Sequence, residues 1–214
     1  MKSADIIGCL IVGTVLFILI CQSTDAFTSR QNTCNNIDNR CYSTVDKYDN
    51  SQEASEMLAK LNAFNIALLR HLRAKYIFDN NQHRASPLVA YLLHNYNPDN
   101  IIENAPIGQV NTSYVDNKGE TFAVCLREKS SGRHRMHDEK TLQFVVMHEM
   151  AHLTLADYGH NTDFWTNFKF LLTEAKAAGL HSPQNYERDQ VEYCSVQVDY
   201  SPYYDDSLED LTRD

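Results

Sequence analysis

The chain has 214 residues, 43% of them hydrophobic, and a formal net charge of −9. That length and apolar content fit one globular domain with appendages, and the negative charge argues against general binding to nucleic-acid backbones. No internal repeat, glycine-rich phosphate loop or Ser-His-Asp arrangement is present to suggest nucleotide cradling or serine hydrolysis.

Read from the N-terminus, the run from Ile6 to Cys21 carries no charge and follows a short start containing Lys2. It is longer than many signal-peptide cores and shorter than an average membrane span of about 20 residues. Residues 1–26 therefore read as an N-terminal hydrophobic helix. It is either retained as a membrane anchor or removed as a signal peptide after Ala26. Either outcome places the remainder in a non-cytosolic compartment. Residues 27–50 are rich in Asn, Asp, Ser and Thr and read as a polar linker. Four cysteines lie beyond the apolar run, Cys34, Cys41, Cys125 and Cys194. They fit two disulfides with three possible pairings, the alternative being buried free thiols. A Cys34–Cys41 bridge would close a small loop, and Cys125–Cys194 would then join two predicted strands.

The main domain is expected over residues 51–201. Asn50, with Glu53 three residues on, marks a helix start. Met57, Leu61, Phe64, Leu68 and Leu72 follow at helical spacing, carrying the helix to about Tyr76. Ser86-Pro87 opens a second helix that ends near Asn95. A hairpin is predicted from Ser113 to Val115 and Thr121 to Leu126, around a turn at Asn117-Lys118-Gly119. Asn111-Thr112-Ser113 is a glycosylation sequon. The basic stretch Gly132 to Asp138, with His134 and His137, reads as a solvated loop. Asp138 caps the next helix, which is expected to run to about Tyr158. Thr162 caps another that Gly179 ends, with Phe164, Trp165, Phe168, Leu171 and Leu172 as its apolar face. Val191 to Val198 reads as a final strand. The acidic residues 202–214 read as a solvated tail. The fold class expected is α+β, helix-rich with a small sheet.

The most informative segment is His148-Glu149-Met150-Ala151-His152. From Phe144 to Ala156 its only polar side chains are His148, Glu149, His152 and Thr154. A helix apolar around nearly its whole circumference is a buried helix, and polar groups buried there are costly unless compensated. Histidines four apart stand one above the other, so both rings can reach one ion, with Glu149 beside them to act on water. A catalytic zinc usually has three protein ligands. Tyr158 occupies the place where a metzincin pattern would put a third histidine. His160 is preferred, with Gly159 turning the chain back over the site; Glu174 on the following helix is the alternative.

The stretch from Thr121 to Cys194 resembles a family of zinc metallopeptidases encoded by large DNA viruses of eukaryotes. That family is similar to the WLM (DNA-repair-associated metalloprotease) group of zincins. The likeness is carried by Cys125-Leu126-Arg127, Leu142 to Leu153, Gly159-His160, Asp163-Phe164-Trp165, Asn167-Phe168, Phe170-Leu171-Leu172 and Tyr193-Cys194. It implies a zincin-like metallopeptidase domain, His148, His152 and His160 as Zn2+ ligands, and Glu149 as general base. Ser195 departs from the pattern, because the family usually has glycine after Tyr-Cys.

The function expected is a membrane-anchored or exported zinc-dependent endopeptidase acting on a polypeptide substrate. Zinc would polarise the scissile carbonyl, Glu149 would move the proton, and Tyr158, Tyr186 or Tyr193 would stabilise the oxyanion. No nucleic-acid partner is expected. The alternative is a non-catalytic scaffold of a viral membrane or capsid that retains the fold and meets other virion proteins. A structural zinc closed by a fourth protein ligand would usually take a cysteine, and the nearest cysteines have no motif spacing to the helix.

Overall fold

The computed structural model describes residues 29–79, 82–104, 112–128, 135–156 and 159–213. The N-terminal apolar run, Asn111 of the sequon, His134 and Tyr158 lie outside the described residues. Among the described residues, no helix is long and apolar enough to cross a membrane. The architecture is α+β, with four α-helices and three small sheets among the described residues.

The longest helix, α1 (Ser51–Arg73), supplies the central apolar stripe: Leu58, Leu61, Leu68 and Leu72 are fully buried. Asn50 stands at its N-cap position, where the sequence reading placed the helix start, but its side chain makes no cap hydrogen bond. Its side chain instead donates to Glu53 (2.9 Å) and accepts from Arg127. A turn of π-helix, Ala74–Asp79, continues α1. The second helix, α2, spans Ser86–Asn95 with proline in its first turn, as the sequence predicts. The motif helix α3 (Glu139–His152) and the helix α4 (Thr162–Ala177) both pack on α1 and on each other. Asp138 caps α3, accepting from the Thr141 N–H at 3.0 Å. The cap of α4 is Asn161 rather than Thr162, its side chain accepting from the Phe164 N–H at 2.9 Å.

Several expectations are corrected. The supposed linker at 27–50 carries an antiparallel hairpin, β1 (Arg30–Cys34) and β2 (Cys41–Val45), closed by a Cys34–Cys41 disulfide and packed on α1. Its polar residues are hairpin residues: most of β1 is exposed, while Tyr42, Thr44 and Val45 of β2 are buried. The hairpin is tied to the domain by a buried charge pair. Glu103, at the end of β3 (Ile101–Glu103), accepts from Arg127 Nε at 2.6 Å and from the Val45 N–H at 2.8 Å. Arg127 also stacks over Tyr48, 4.3 Å from the ring centre. The tail is not free either. Lys169 Nζ donates to the carbonyls of Asp205 and Leu208, Arg84 pairs with Glu209, and Leu211 packs against the core. An acidic run finds cations within its own domain.

The predicted hairpin is present as β4 (Tyr114–Asp116) and β5 (Thr121–Val124), with β3 added parallel to β5 to give the order β3-β5-β4. Gly119 belongs to the turn by conformation and by space: its φ is +96°, and a Cβ there would lie 2.2 Å from the Asn95 carbonyl oxygen. The final strand of the sequence reading is in fact two strands, β6 (Val191–Tyr193) and β7 (Val196–Val198), folded back on each other. The reversal falls at Cys194 and Ser195, both in the left-handed region at φ +48° and +68°, as a tight two-residue hairpin turn requires. A second disulfide, Cys125–Cys194, fastens this turn to the end of β5.

Two outcomes are expected. Ser195→Gly should stabilise the protein by about 1 kcal/mol, read from its urea midpoint, because glycine adopts a left-handed conformation without the Cβ penalty. Glu103→Ala leaves Arg127 buried without its carboxylate and should cost about 3–5 kcal/mol in the same measurement.

Candidate metal centre

The site is built where α3 stops. The helix was expected to reach Tyr158 but ends at His152. Three side chains hold that end: Asn95 donates to the Leu153 carbonyl (2.9 Å), Thr154 Oγ1 donates to the Ala151 carbonyl (2.6 Å), and Asn167 donates to Thr154 Oγ1 (2.8 Å). Leaving the helix early gives the chain room to turn. Gly159, at φ +144°, is in backbone space that favours glycine, and the next residue, His160, comes back over α3.

Ring nitrogens of His148, His152 and His160 all lie within 4.8 Å of one another. The Nε2 atoms of His148 and His160 are 3.0 Å apart. The first two rings are half-buried and the third is exposed, so the cluster sits at the bottom of an open cleft. Phe164, in the first turn of α4, touches all three rings, with centroid distances of 4.8, 4.4 and 4.5 Å to His148, His152 and His160. Trp165 lies 5.5 Å from His160. These aromatic contacts orient the rings without competing for their nitrogens.

Burial, followed by repulsion from the neighbouring imidazoles, pulls His148 down to about 3 and His152 to about 4. Burial also lowers His160. All three are neutral at pH 7 and free to present a lone pair. Glu149 is 5% exposed, and burial pushes its carboxyl up to about 8 against the opposing effect of a hydrogen bond from the Val115 backbone. Cations would draw it back to the carboxylate. Three imidazoles with one side open to a cleft match the donor set of a catalytic zinc site. A cysteine-closed structural site does not fit, because Cys34, Cys41, Cys125 and Cys194 are all in disulfides.

Glu174 is elsewhere. It is 1% exposed and accepts from His71 (2.7 Å), Lys75 (2.8 Å) and Tyr76 (2.9 Å). Burial raises its pKa, but the hydrogen bonds from Lys75, His71 and Tyr76 outweigh it and leave the group lowered. It ties α4 to the end of α1. His137, read as part of a solvated loop, is buried: its Nε2 accepts from the Cys194 N–H at 3.3 Å, and its ring lies 4.9 Å from Tyr193. Of the tyrosines considered for the oxyanion, Tyr193 lines the cavity, but its hydroxyl donates to the Cys125 carbonyl (2.8 Å) and meets Ser113 Oγ (2.6 Å). Tyr186 is fully buried against Phe144.

A cavity of about 480 Å³ opens beside the histidines. Its walls include residues that the sequence reading did not assign to the site: Tyr114 and Val115 of β4, Val196 and Val198 of β7, and Tyr200. The β7 wall was missed because Val191 to Val198 looked like one strand. The signal lay in the Cys125–Cys194 pairing, which brings that segment to the end of β5.

Comparison with known proteins finds relatives in large DNA viruses. An uncharacterized protein of Acanthamoeba polyphaga mimivirus is 28% identical over 163 residues, covering 76% of this chain and 79% of its own length. Uncharacterized proteins of Invertebrate iridescent virus 3 and Invertebrate iridescent virus 6 are 38% and 34% identical over 98 and 85 residues. These cover 45% and 40% of this chain, which spans 58% and 47% of the two iridescent-virus proteins. No family model and no solved structure matches the chain.

The geometry separates the two candidate third ligands. His160→Ala should lower zinc affinity by about two orders of magnitude or more in a chelator competition. Glu174→Gln should leave that affinity within about twofold while lowering the urea midpoint. The reverse pattern would hand the site to the glutamate.

Proposed function

We propose that this chain is a zinc-dependent endopeptidase of zincin type, with His148, His152 and His160 as metal ligands and Glu149 as general base. The observation that carries the reading is the convergence of three neutral imidazoles beside a buried carboxylate at the floor of an open cleft. Packing alone gives no reason to bring three unprotonated rings to one point.

Zinc held there supplies a Lewis acid for the scissile carbonyl and lowers the pKa of water to near neutrality. The remaining work belongs to the chain. Glu149 takes a proton from the attacking water and passes it to the departing amine. Its apolar surroundings and the Val115 backbone hold the carboxyl in one place. β4 is an edge strand, and its Tyr114 and Val115 line the cavity. An extended peptide can add to such an edge through main-chain hydrogen bonds, which would lay the scissile bond across the histidines.

The two disulfides support a non-cytosolic location for the domain. With the apolar run at residues 6–21, this favours a domain held on, or exported across, a membrane. The viral relatives make a virion membrane one such place.

Glu149→Gln keeps the shape of the carboxylate and removes its basicity. The variant should bind zinc with parent-like stoichiometry and lose peptide cleavage by at least about 100-fold. Cleavage at the parental rate by the purified variant would end this mechanism.

A further inference from the structure

The cavity beside the histidines is apolar and has a definite floor. Phe144 and Val145 lie one helical turn before His148 and Glu149 on α3, so they extend the site's own helix face into the cavity. α4 supplies the facing wall through Trp165 and Phe168. The Phe168 ring is 4.9 Å from Phe144 and 5.4 Å from His148. β7 adds the third side with Val196 and Val198, two residues apart and therefore on one face of the strand. Gln197 and Asp199 of this strand region also line the cavity and are exposed to solvent. Among the described residues lining the cavity there is no lysine or arginine. Val196 remains 47% exposed, a large apolar side chain left bordering an apolar space.

We infer that this cavity is the specificity pocket of the site and takes a bulky apolar side chain, aromatic or long aliphatic, from the bound polypeptide. This rests on the endopeptidase reading. At about 480 Å³ the space falls within the roughly 300–1,000 Å³ of ordinary ligand pockets, enough for one large side chain and its adjoining backbone. A small side chain leaves the apolar walls wet. An acidic one loses its hydration against these walls and meets Asp199, with no lysine or arginine among the described lining residues to pair with it. Val196 is the specificity-determining residue at the cavity's border.

Trp165 is the only tryptophan of the chain and lines the cavity, so its fluorescence reports occupancy independently of catalysis. Full-length, zinc-loaded Glu149→Gln protein is titrated with short Gly/Ser peptides that differ in one central residue: Phe, Leu, Ala or Asp. Phe and Leu peptides should bind at least about tenfold tighter than Ala and Asp peptides. Adding Val196→Asp should remove that advantage, with zinc content and circular dichroism unchanged. Equal affinities, no binding of any peptide, or an unchanged ranking in the Val196→Asp protein would overturn the inference. Cleavage by the parent separates the two readings. Cleavage without side-chain preference sinks the pocket alone, whereas ranked binding without cleavage supports the pocket and sinks the endopeptidase.

Discussion

The site depends on one constraint, that α3 must stop at His152. Had the helix continued to Tyr158, as its apolar sequence suggests, residue 160 would be carried along the helix axis and away from the first two rings at about 1.5 Å per residue. The stop is made by hydrogen bonding rather than by a helix-breaking residue. Thr154 turns its hydroxyl onto the Ala151 carbonyl, while Asn95 and Asn167 reach in from the two neighbouring helices to hold Leu153 and Thr154. Helix carbonyls at a C-terminus need partners, and here α2 and α4 provide contacts that also fix the helices relative to one another. The third histidine is thus positioned by the helix packing of the domain.

A second set of contacts does the same for the opposite wall. Tyr193 donates to the Cys125 carbonyl, Ser113 Oγ lies against the Tyr193 hydroxyl, and the Cys125 N–H donates to Ser113 Oγ at 3.0 Å. This closed ring of hydrogen bonds joins β5, the start of β4 and β6 just behind Glu149. The Cys125–Cys194 disulfide spans the same junction covalently. Buried polar groups that satisfy one another in this way rigidify a site. The β4 edge and the β7 wall therefore keep a fixed spacing across the cavity.

Much of this was legible in the sequence, for identifiable reasons. The two histidines and Glu149 are local to one helix, so their relation follows from helical periodicity alone. His160 followed from a glycine and a spacing, and Asp138 and the Asn117-Lys118-Gly119 turn from local backbone preferences. What escaped is non-local. Asn50 marks the helix start as read, but the pairing of its side chain with Arg127, 77 residues away, could not be seen locally. The hairpin at 30–45 looked like a linker because its stabilising partners, Glu103 and Arg127, lie far along the chain. The acidic tail looked solvated for the same reason, its cations being Lys169 and Arg84. The β6–β7 turn was hidden because Cys194 and Ser195 are poor predictors of a left-handed turn, and Ser195 stands where the resembling family usually places glycine.

Electrostatics links the two halves of the site. Burial first, and then repulsion from the neighbouring imidazoles, hold His148 and His152 far below the usual histidine range. The carboxyl beside them is pushed the other way, up to about 8, because burial penalises its charge. Neither shift benefits the folded protein on its own: a group held away from its preferred charge state costs stability wherever the unfolded chain could ionise it. Both costs have the same remedy, a cation at the convergence of the rings. Such an ion would take the lone pairs of the imidazoles and favour the ionised form of Glu149. Residues arranged at the expense of stability, with deviations that one ligand would relieve together, support the proposed metal site. On the proposed reading, the apolar cavity beside them would set which polypeptide that site holds.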